Sequence, residues 1–442
     1  MLDLKVYPKY IKALFNLAIP MIIGNLGMIL IGAGDVFVAA KHSTETLAAI
    51  SIGNSVMTVI FLFGTGLLIG ISPLLSNFRG ERQNIKKYFV PSIIFSIILA
   101  AISVILVLLI IPIIDYLNFE TNLVPLIKKY MFITAFSAFG AYLQVGLKEY
   151  LQAFEIVIFP NLVNLFGVII NVFFNFVFVF GWYGLPEMGV AGLAVSTVLS
   201  RSLFGFMMLI YCLKIAKIKY YKDFGYFVKL LKIGMPIAAA IVLEVLAFNL
   251  ITIIEGRVAG IYAAAQNILL VLSLATFMIP MAISNAIAVK VGYANGAGNF
   301  TDLKRYSISG IGVSVGFMMF CAINFIFFPE FFINIFTQDY QLVKICVPIL
   351  MLAGFFQIFD GLQVSLGGVF KGIKNTKVVM IGNFLAYWVV GLPLGIFFAF
   401  KQGLNLYGFW IGLTIAICLL GLILLLMLLR YFKKLRKEPV QN

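Results

Sequence analysis

The sequence predicts an all-α integral membrane protein with about 12 transmembrane helices, and three observations support this fold class. Hydrophobic residues make up 62% of the 442 residues and charged residues 11%, whereas soluble domains average roughly 45–50% and 25%. The apolar residues occur in runs of about 20 residues or more, which is the length of a membrane-spanning helix. These runs are continuous and lack the period-2 alternation of a transmembrane β-barrel.

Each apolar run supplies one predicted span, and short polar segments separate the runs. In order, the spans extend over 14–39, 46–75, 89–113, 127–147, 157–181, 189–212, 234–254, 260–289, 307–328, 342–369, 378–400 and 407–430. The first run is too long for a cleavable signal sequence and has no small-x-small site at its end, so we expect it to be retained.

The basic residues are concentrated in alternate loops, and the formal net charge is +15. Most of the 32 Lys and Arg residues fall in the segments 5–12, 79–87, 148, 212–232, 290–305, 371–377 and 430–437. The intervening loops hold only Lys41, Lys128, Lys129, Arg257, Lys344 and Lys401. Because cytoplasmic loops carry the excess of Lys and Arg, both termini are predicted to be cytoplasmic. The expected partner of these basic clusters is the anionic inner leaflet and not nucleic acid.

The sequence also repeats itself at an offset near half its length. The matching segments are YIKALFNLAIP (10–20) with YFVKLLKIGMP (226–236), GERQNIKKY (80–88) with GNFTDLKRY (298–306), and LQVGL (143–147) with LQVSL (362–366). We therefore predict an N-lobe, 1–222, and a C-lobe, 223–442, with six spans each. An even number of spans gives both lobes the same orientation, related by a pseudo-two-fold axis along the membrane normal, with a substrate site between them.

Three carboxylates lie inside predicted spans. They are Asp35 in GAGDVF, Glu244 in IVLEVLAF and Asp360 in FQIFDGLQ. An ionisable residue at this depth costs several kcal/mol and usually faces a functional cavity. No lysine is similarly placed, so the cavity is predicted to be acidic and to select cations. Asp35 could instead be a buried acid that is hydrogen-bonded to neighbouring amides, and Glu244 could face a water-filled crevice without a role in transport.

Other polar and aromatic residues accompany the acids. Span 5 carries Asn164, Asn171 and Asn175, span 6 carries Ser196, Thr197 and Arg201, and Asp360 follows Phe355, Phe356 and Phe359. The amide and hydroxyl oxygens are suited to a sodium site or a proton relay, or to polar contacts between helices. The rings are suited to cation–π contact or to packing alone. We interpret Arg201 as paired with an acid or with carbonyls, and Glu255 beside Arg257 as a structural or solvated pair in an outer loop.

Enzymatic chemistry is not expected. The four cysteines, Cys212, Cys321, Cys346 and Cys418, form no CxxC pair, so neither a disulfide framework nor a metal site is predicted. The single histidine, His42, lies in a short polar stretch. No catalytic constellation accompanies it, which argues against an integral membrane enzyme such as an acyltransferase.

Four longer segments resemble a known family. They are GMPIAAAIVLEVLAF (234–248), AAAQNILLVLSLATFMIP (263–280), FQIFDGLQVSLGGVFKGIKNTKVVMI (356–381) and YWVVGLPLGIFFAF (387–400). Together they are similar to the multidrug and toxic compound extrusion (MATE) transporters of the bacterial NorM-type branch. The resemblance implies two six-helix bundles around a V-shaped cavity. It also implies export of cationic, lipophilic compounds, driven by inward flow of Na⁺ or H⁺.

The resemblance also assigns residues. Glu244 and Asp360 match the C-lobe acids used for cation coupling, and Pro20 matches the proline at which the first span bends. The N-lobe polar cluster is matched by Asp35, Asn171, Asn175 and Ser196. Na⁺ is therefore expected at Asp35, Asn171 and Asn175 or at Glu244 and Asp360. Phe356 is a departure, because some members have Tyr there; a hydroxyl contact is lost and a ring face remains.

The resemblance further implies a monomer in the bacterial cytoplasmic (inner) membrane that uses no cofactor besides the coupling ion, Na⁺ or H⁺. The alternative function is that of a flippase for a lipid-linked oligosaccharide or peptidoglycan precursor, from the same broad superfamily. Such substrates carry phosphates and would require a basic cavity. The acidic residues within the spans argue against that alternative.

Overall fold

The computed structural model describes residues 6–216, 221 and 223–437, with side chains described up to 435. The predicted cytoplasmic residues Lys5, Lys217, Lys219 and Lys222 lie outside this part of the chain. Up to residue 216 the α-helices are α1 (Tyr7–His42), α2 (Thr44–Ile69), α3 (Ile71–Gly80), α4 (Phe89–Ile110), α5 (Leu123–Ala135), α6 (Ser137–Ala153), α7 (Ile158–Phe180) and α8 (Val190–Ile215). From residue 223 they are α9 (Phe224–Val258), α10 (Gly260–Gly296), α11 (Phe300–Phe327), α12 (Pro329–Asn334), α13 (Tyr340–Gly372), α14 (Thr376–Asn383), α15 (Leu392–Ile396) and α16 (Asn405–Lys437).

Short segments of other helix types complete this architecture. Three 3₁₀ segments, Ile85–Tyr88, Ile111–Tyr116 and Trp182–Gly184, adjoin or connect helices. Two π-helical segments, Phe384–Gly391 and Phe397–Lys401, flank α15. They make one apolar segment of α14 and α15, Thr376–Lys401, that is long enough to cross a bilayer. The described residues include no β-strand.

The predicted number of spans is confirmed. Among the described residues, eleven helical segments are long and apolar enough to cross a membrane, and the bent pair α5 and α6 gives a twelfth. The sequence predicted that fourth span as one helix over 127–147. In the structure it changes direction by 41° at Phe136, between α5 and α6. A bend of this kind leaves the apolar composition of the span unchanged, so hydropathy did not show it.

Small residues let the helices that carry the polar side chains approach closely. A Cβ atom on Gly140 of α6 would lie 2.4 Å from the backbone nitrogen of Ser202 on α8. A Cβ atom on Gly205, one turn further along α8, would lie 2.8 Å from the carbonyl oxygen of Gly140. The hydrophobic effect does not bring helices together within a membrane, so close packing at small residues contributes to their association instead. They fix α8 against α6 next to Arg201.

The chain forms two compact units. The N-unit consists of Ile19–Ala238, and the C-unit consists of Met1–Ala18 together with Ala239–Asn442. The two divisions therefore fall inside α1 and α9, within about one helical turn of Pro20 and Pro236. The lobe boundary predicted from the repeat lies instead in the loop near 222.

Tyrosine contacts explain why the start of α1 belongs to the C-unit. The Tyr10 hydroxyl donates to Asp302 Oδ1 at 2.5 Å, and the Tyr10 ring meets Tyr306 edge-on at 4.8 Å. The equivalent contacts within the N-unit are made by Tyr226 at the start of α9. Its hydroxyl is 2.8 Å from Ser92 Oγ, and its ring stacks on Tyr88 at 4.7 Å. Tyr10 and Tyr226 occupy the same place in the sequence repeat.

The orientation of the chain can be tested by cysteine labelling. Arg82 and Lys374 are exposed in loops predicted to be cytoplasmic, and Glu330 is exposed at α12 on the predicted outer side. In a variant without the native cysteines, Glu330→Cys is expected to react with an impermeant maleimide in intact cells. In intact cells, the labelling of Arg82→Cys and Lys374→Cys is expected to be at least about tenfold lower, because basic loops face the cytoplasm. Both variants should be labelled once the membrane is permeabilised. Equal labelling of all three in intact cells would contradict this orientation.

Candidate functional site

The first candidate site is the N-unit cluster, formed by Asp35, Asn171, Asn175 and Ser196. Asn175 Nδ2 on α7 donates to Asp35 Oδ1 on α1 at 2.7 Å and to Asn171 Oδ1 at 3.3 Å. Ser196 Oγ on α8 donates to the Asn171 backbone carbonyl at 3.4 Å. Asn171 and Asn175 share a face because they are four residues apart. The structure thus brings all four predicted residues together.

The N-unit cluster combines buried amides with one more accessible acid. Asn171, Asn175 and Ser196 are fully buried, whereas Asp35 is half-buried. Asn175 Oδ1 has no hydrogen-bond partner among the described residues. Buried polar atoms are nearly always satisfied, so this oxygen beside a carboxylate is available to a small cation or a protonated group.

Two further polar residues of the same spans lie outside the cluster. Asn164 accepts a hydrogen bond from Gln144 Nε2 at 2.6 Å, which ties α7 to α6. Thr197 donates to the Leu193 carbonyl in its own helix at 2.9 Å. The first contact joins two helices and the second stays within one helix, so neither residue takes part in the hydrogen bonds of the N-unit cluster.

Arg201 supplies a positive charge close to the N-unit cluster. Its guanidinium donates to Ser137 Oγ at 2.9 Å and lies 5.7 Å from the centroid of the Phe61 ring. It also interacts electrostatically with Asp35. The sequence indicated a pairing with an acid or with carbonyls; the direct hydrogen bond goes to a hydroxyl, and Asp35 is a longer-range partner.

The second candidate site is formed by Glu244 of α9 and Asp360 of α13, which we call the C-unit acids. The two carboxyl groups are close enough to interact electrostatically, and Tyr387 interacts with both. Asp360 is only 5% exposed, and its Oδ1 has no hydrogen-bond partner in the described parts of the chain. Lys371, about three turns along α13 from Asp360, also acts electrostatically on Glu244. Two like charges in one buried place favour occupation by a cation or a proton.

The Phe384–Gly391 segment positions Tyr387 against the C-unit acids. Asn383 Nδ2, just before this segment, donates to the Ala240 carbonyl at 3.4 Å. Trp388 Nε1 donates to the Leu243 carbonyl at 3.0 Å. These two bonds hold the segment along the turn of α9 that precedes Glu244. π-Helical insertions of this kind occur frequently at functional sites.

An aromatic cluster lies one turn from Asp360. The Phe356 ring, 3% exposed, meets Trp410 edge-on at 5.7 Å and Phe248 at 6.3 Å. Trp410 Nε1 donates to Gln266 Oε1 at 2.8 Å, which anchors the cluster to α10. Phe356 therefore shares the interior face with Asp360, as residues four apart in a helix do.

The three rings that the sequence suggested for one pocket, Phe355, Phe356 and Phe359, differ in burial. The Phe355 side chain is 55% exposed, and Phe359 is half-buried. Phe355 is adjacent to Phe356 and lies about 100° around the helix from it, whereas Phe359, three residues on, lies only about 60° away, at the margin of the same face. Only Phe356 belongs to the aromatic cluster.

Sequence reasoning did not single out Tyr387, Asn383 or Gln363. Gln363 Nε2 donates to Asn383 Oδ1 at 3.2 Å, and both residues are buried between spans. A signal existed, because amides and a tyrosine within apolar spans require partners. Pro20, which was singled out, lies inside α1, which is helical on both sides of it.

Sequence comparison identifies the family. The MatE family profile matches residues 20–177 and 236–397. This chain belongs to the MatE family. Two MatE relatives with the name "Probable multidrug resistance protein NorM" match it over nearly their full length. The one from Mesorhizobium japonicum is 29% identical, covering 97% of this chain and 95% of the relative. The one from Bacillus subtilis is 26% identical, covering 91% and 92%.

Solved structures show the same fold at lower identity. The eukaryotic MATE transporter AtDTX14 superimposes with a TM-score of 0.86 at 20% identity, covering 98% of this chain and 99% of that one. A MOP superfamily transporter from Pyrococcus furiosus, whose binding pocket has reverse polarity, gives 0.87 at 19% identity and 97% coverage of both chains. This MatE chain is thus a multi-span membrane protein of a transporter family. The charge of the two candidate sites is determined by the residues of this chain.

Proposed function

We propose that this protein is a secondary active multidrug efflux transporter that exports cationic, lipophilic compounds by antiport with Na⁺ or H⁺. The observation that carries the proposal is the pair of C-unit acids, whose carboxyl groups interact beside an aromatic cluster, with Asp360 almost fully buried and Glu244 half-buried. The proposed setting is the bacterial cytoplasmic membrane, with both termini cytoplasmic and one chain as the functional unit. The names of the NorM relatives support the multidrug class.

Competition for negative charge provides the coupling in this proposal. A coupling ion and a cationic drug both neutralise the C-unit acids, so binding of one weakens binding of the other. Transport then requires that each ligand prefer a different arrangement of the protein, because a ligand with equal affinity for both arrangements shifts neither. The Phe356 and Trp410 rings offer apolar surface and a π-face to a lipophilic cation.

The two candidate sites differ in their internal charge, which assigns them different roles. In the N-unit, Arg201 already offsets the charge of Asp35. In the C-unit, Asp360 faces a second acid, Glu244, and Lys371, the cation that acts on Glu244, lies about three turns along α13 from Asp360. The C-unit acids are therefore the proposed coupling site. A flippase for phosphate-linked lipids would require the opposite balance of charge at this place.

The experiment is dye efflux from proteoliposomes with independently imposed gradients. A cationic dye is expected to be expelled when either a Na⁺ or a H⁺ gradient is applied across purified protein, and not when both are absent. Excess unlabelled lipophilic cation should compete with the dye, whereas a polyprenyl phosphate should not. Dye flux that ignores both gradients, or competition by the polyprenyl phosphate alone, would refute the proposal.

Pro20 provides a test of how α1 serves transport. A proline inside a helix leaves one carbonyl without its backbone partner and permits bending. Pro20→Ala is expected to leave membrane levels unchanged and to slow dye efflux by about tenfold, equivalent to ~1.4 kcal/mol on the barrier. The matched control is Pro280→Ala, a proline inside α10 that lies away from both unit divisions. Equal rates for Pro20→Ala and the wild type would mean that bending at this position is not needed.

A further inference from the structure

A third acid in the C-unit has no assigned role. Glu255 lies near the end of α9 and is 0% exposed, like Ala247 and Ile251 on the same stripe of the helix. Neither of its carboxylate oxygens has a hydrogen-bond partner within the described residues. The sequence indicated a structural or solvated pair with Arg257. The solvated interpretation is wrong, because Glu255 is buried, and Arg257 is exposed and forms no ion pair with it.

An unpartnered carboxylate in this position must be neutralised. Burial of an ionised carboxylate without a partner costs far more than burial of the neutral acid. No charged side chain acts electrostatically on Glu255 across the part of the chain that the structure describes. A tightly bound divalent metal ion would need several such ligands, and the described residues contain no group of three His, Cys, Asp or Glu that could hold one. A proton needs only the carboxyl group itself.

The position of Glu255 relates it to the C-unit acids. Glu255 follows Glu244 by eleven residues, about three helical turns, so the two share one face of α9 about 16 Å apart. Directly after Glu255, the residues Gly256, Arg257 and Val258 are exposed at the end of the helix. This end is predicted to face the outside of the cell. Glu255 thus lies between the exposed helix end and the C-unit acids.

We propose that Glu255 is a second proton-carrying site of the C-unit. It takes a proton from water at the exposed end of α9, holds it in the bundle interior as a neutral carboxylic acid, and returns it to water. Glu255 is thereby an outer loading position for protons on the face that leads to Glu244 and Asp360. The use of this proton in transport rests on the proposed function; the protonation of Glu255 does not.

Infrared spectroscopy of the purified full-length protein in lipid tests the protonation. At neutral pH the wild type is expected to show a carbonyl-stretch band of a protonated carboxylic acid that Glu255→Gln loses. Glu330→Gln removes an exposed acid from the same unit and should keep the band. Glu255→Asp should also keep the band, and it tests the proposal if Glu255→Gln fails to fold. Identical bands in the wild type and Glu255→Gln, or none in the wild type and Glu255→Asp, would overturn the proposal.

Transport measurements test the use of the proton. Across a series of outer pH values, Glu255→Gln is expected to lose most of the dependence of dye efflux on outer pH, with dye binding unchanged. Glu330→Gln should follow the wild type. If the wild type shows no ion-driven efflux, the proposed function fails and the infrared result alone decides the proton site. If the wild type is ion-driven and Glu255→Gln follows it at every outer pH, the loading role is overturned.

Discussion

Asp360→Asn and Glu244→Gln are each expected to reach the membrane in normal amounts and to lose ion-driven efflux. The substitutions keep the shape of each side chain and remove its charge. A neutral amide is less costly in the membrane than an ion, so stability should hold or improve. Removal of one member of a desolvated charge pair costs about 2–5 kcal/mol, which corresponds to a loss of roughly 30-fold or more in cation affinity.

Asp360→Asn is expected to be the more severe of the two. Asp360 is almost fully buried next to Phe356 and has an oxygen without a hydrogen-bond partner among the described residues, whereas Glu244 is half-buried. If charge itself is needed, the loss should persist at every pH. The measurement is dye efflux under a Na⁺ or H⁺ gradient, at matched protein levels.

Glu330→Gln is the matched control for the C-unit acids, because it removes an exposed acid of the same unit. It should retain wild-type efflux. Wild-type efflux in Asp360→Asn would refute the assignment of the coupling site. A variant that fails to fold would show that Asp360 serves the structure of the C-unit instead.

Asp35→Asn and Asn175→Ala are expected to be non-additive in their effect on ion binding. Asn175 donates directly to Asp35, so Asn175→Ala removes this contact and Asp35→Asn removes the charge that strengthens it. Residues in one hydrogen-bonded network show interaction energies of about 0.5–3 kcal/mol, and distant residues add. The double variant should therefore lose little more ion affinity than the more severe single variant. The measurement is a double-mutant cycle on ion binding by calorimetry or dye displacement.

Thr197→Ala provides the control pair for this cycle. Thr197 lies beside Ser196 in sequence but bonds within its own helix, outside the N-unit cluster. Its effect should add to that of Asp35→Asn. Additive losses for Asp35→Asn with Asn175→Ala would show that these two residues do not share a site.

The sequence was sufficient for the features that depend on local composition. Span number followed from the length of apolar runs, and the acids stood out because charges are rare inside spans. The four residues of the N-unit cluster could be grouped only through the family resemblance. Their hydrogen bonds join α1, α7 and α8, which hydropathy does not relate to one another.

Other features depend on packing that no local pattern encodes. In the sequence, nothing distinguishes Tyr387 from other tyrosines in apolar spans. Its position follows from the packing of its segment against α9, where Trp388 donates to the Leu243 carbonyl. Glu255 was placed beside Arg257 in an outer loop after a span predicted to end at 254, yet α9 continues to Val258. The exposure of Phe355, by contrast, could have been deduced from helical periodicity, because residues five apart do not share the face of Asp360.

The division of the chain inside α1 and α9 has a consequence for its ancestry. Each half of the repeat begins with a helical arm that completes the unit built mainly by the other half, through Tyr10 in one case and Tyr226 in the other. An ancestral chain of one repeat would leave its arm without a unit to complete. Two copies could complete each other by exchanging arms, which is the geometry of a domain-swapped dimer. Fusion of the two genes would then have preserved that exchange within a single polypeptide.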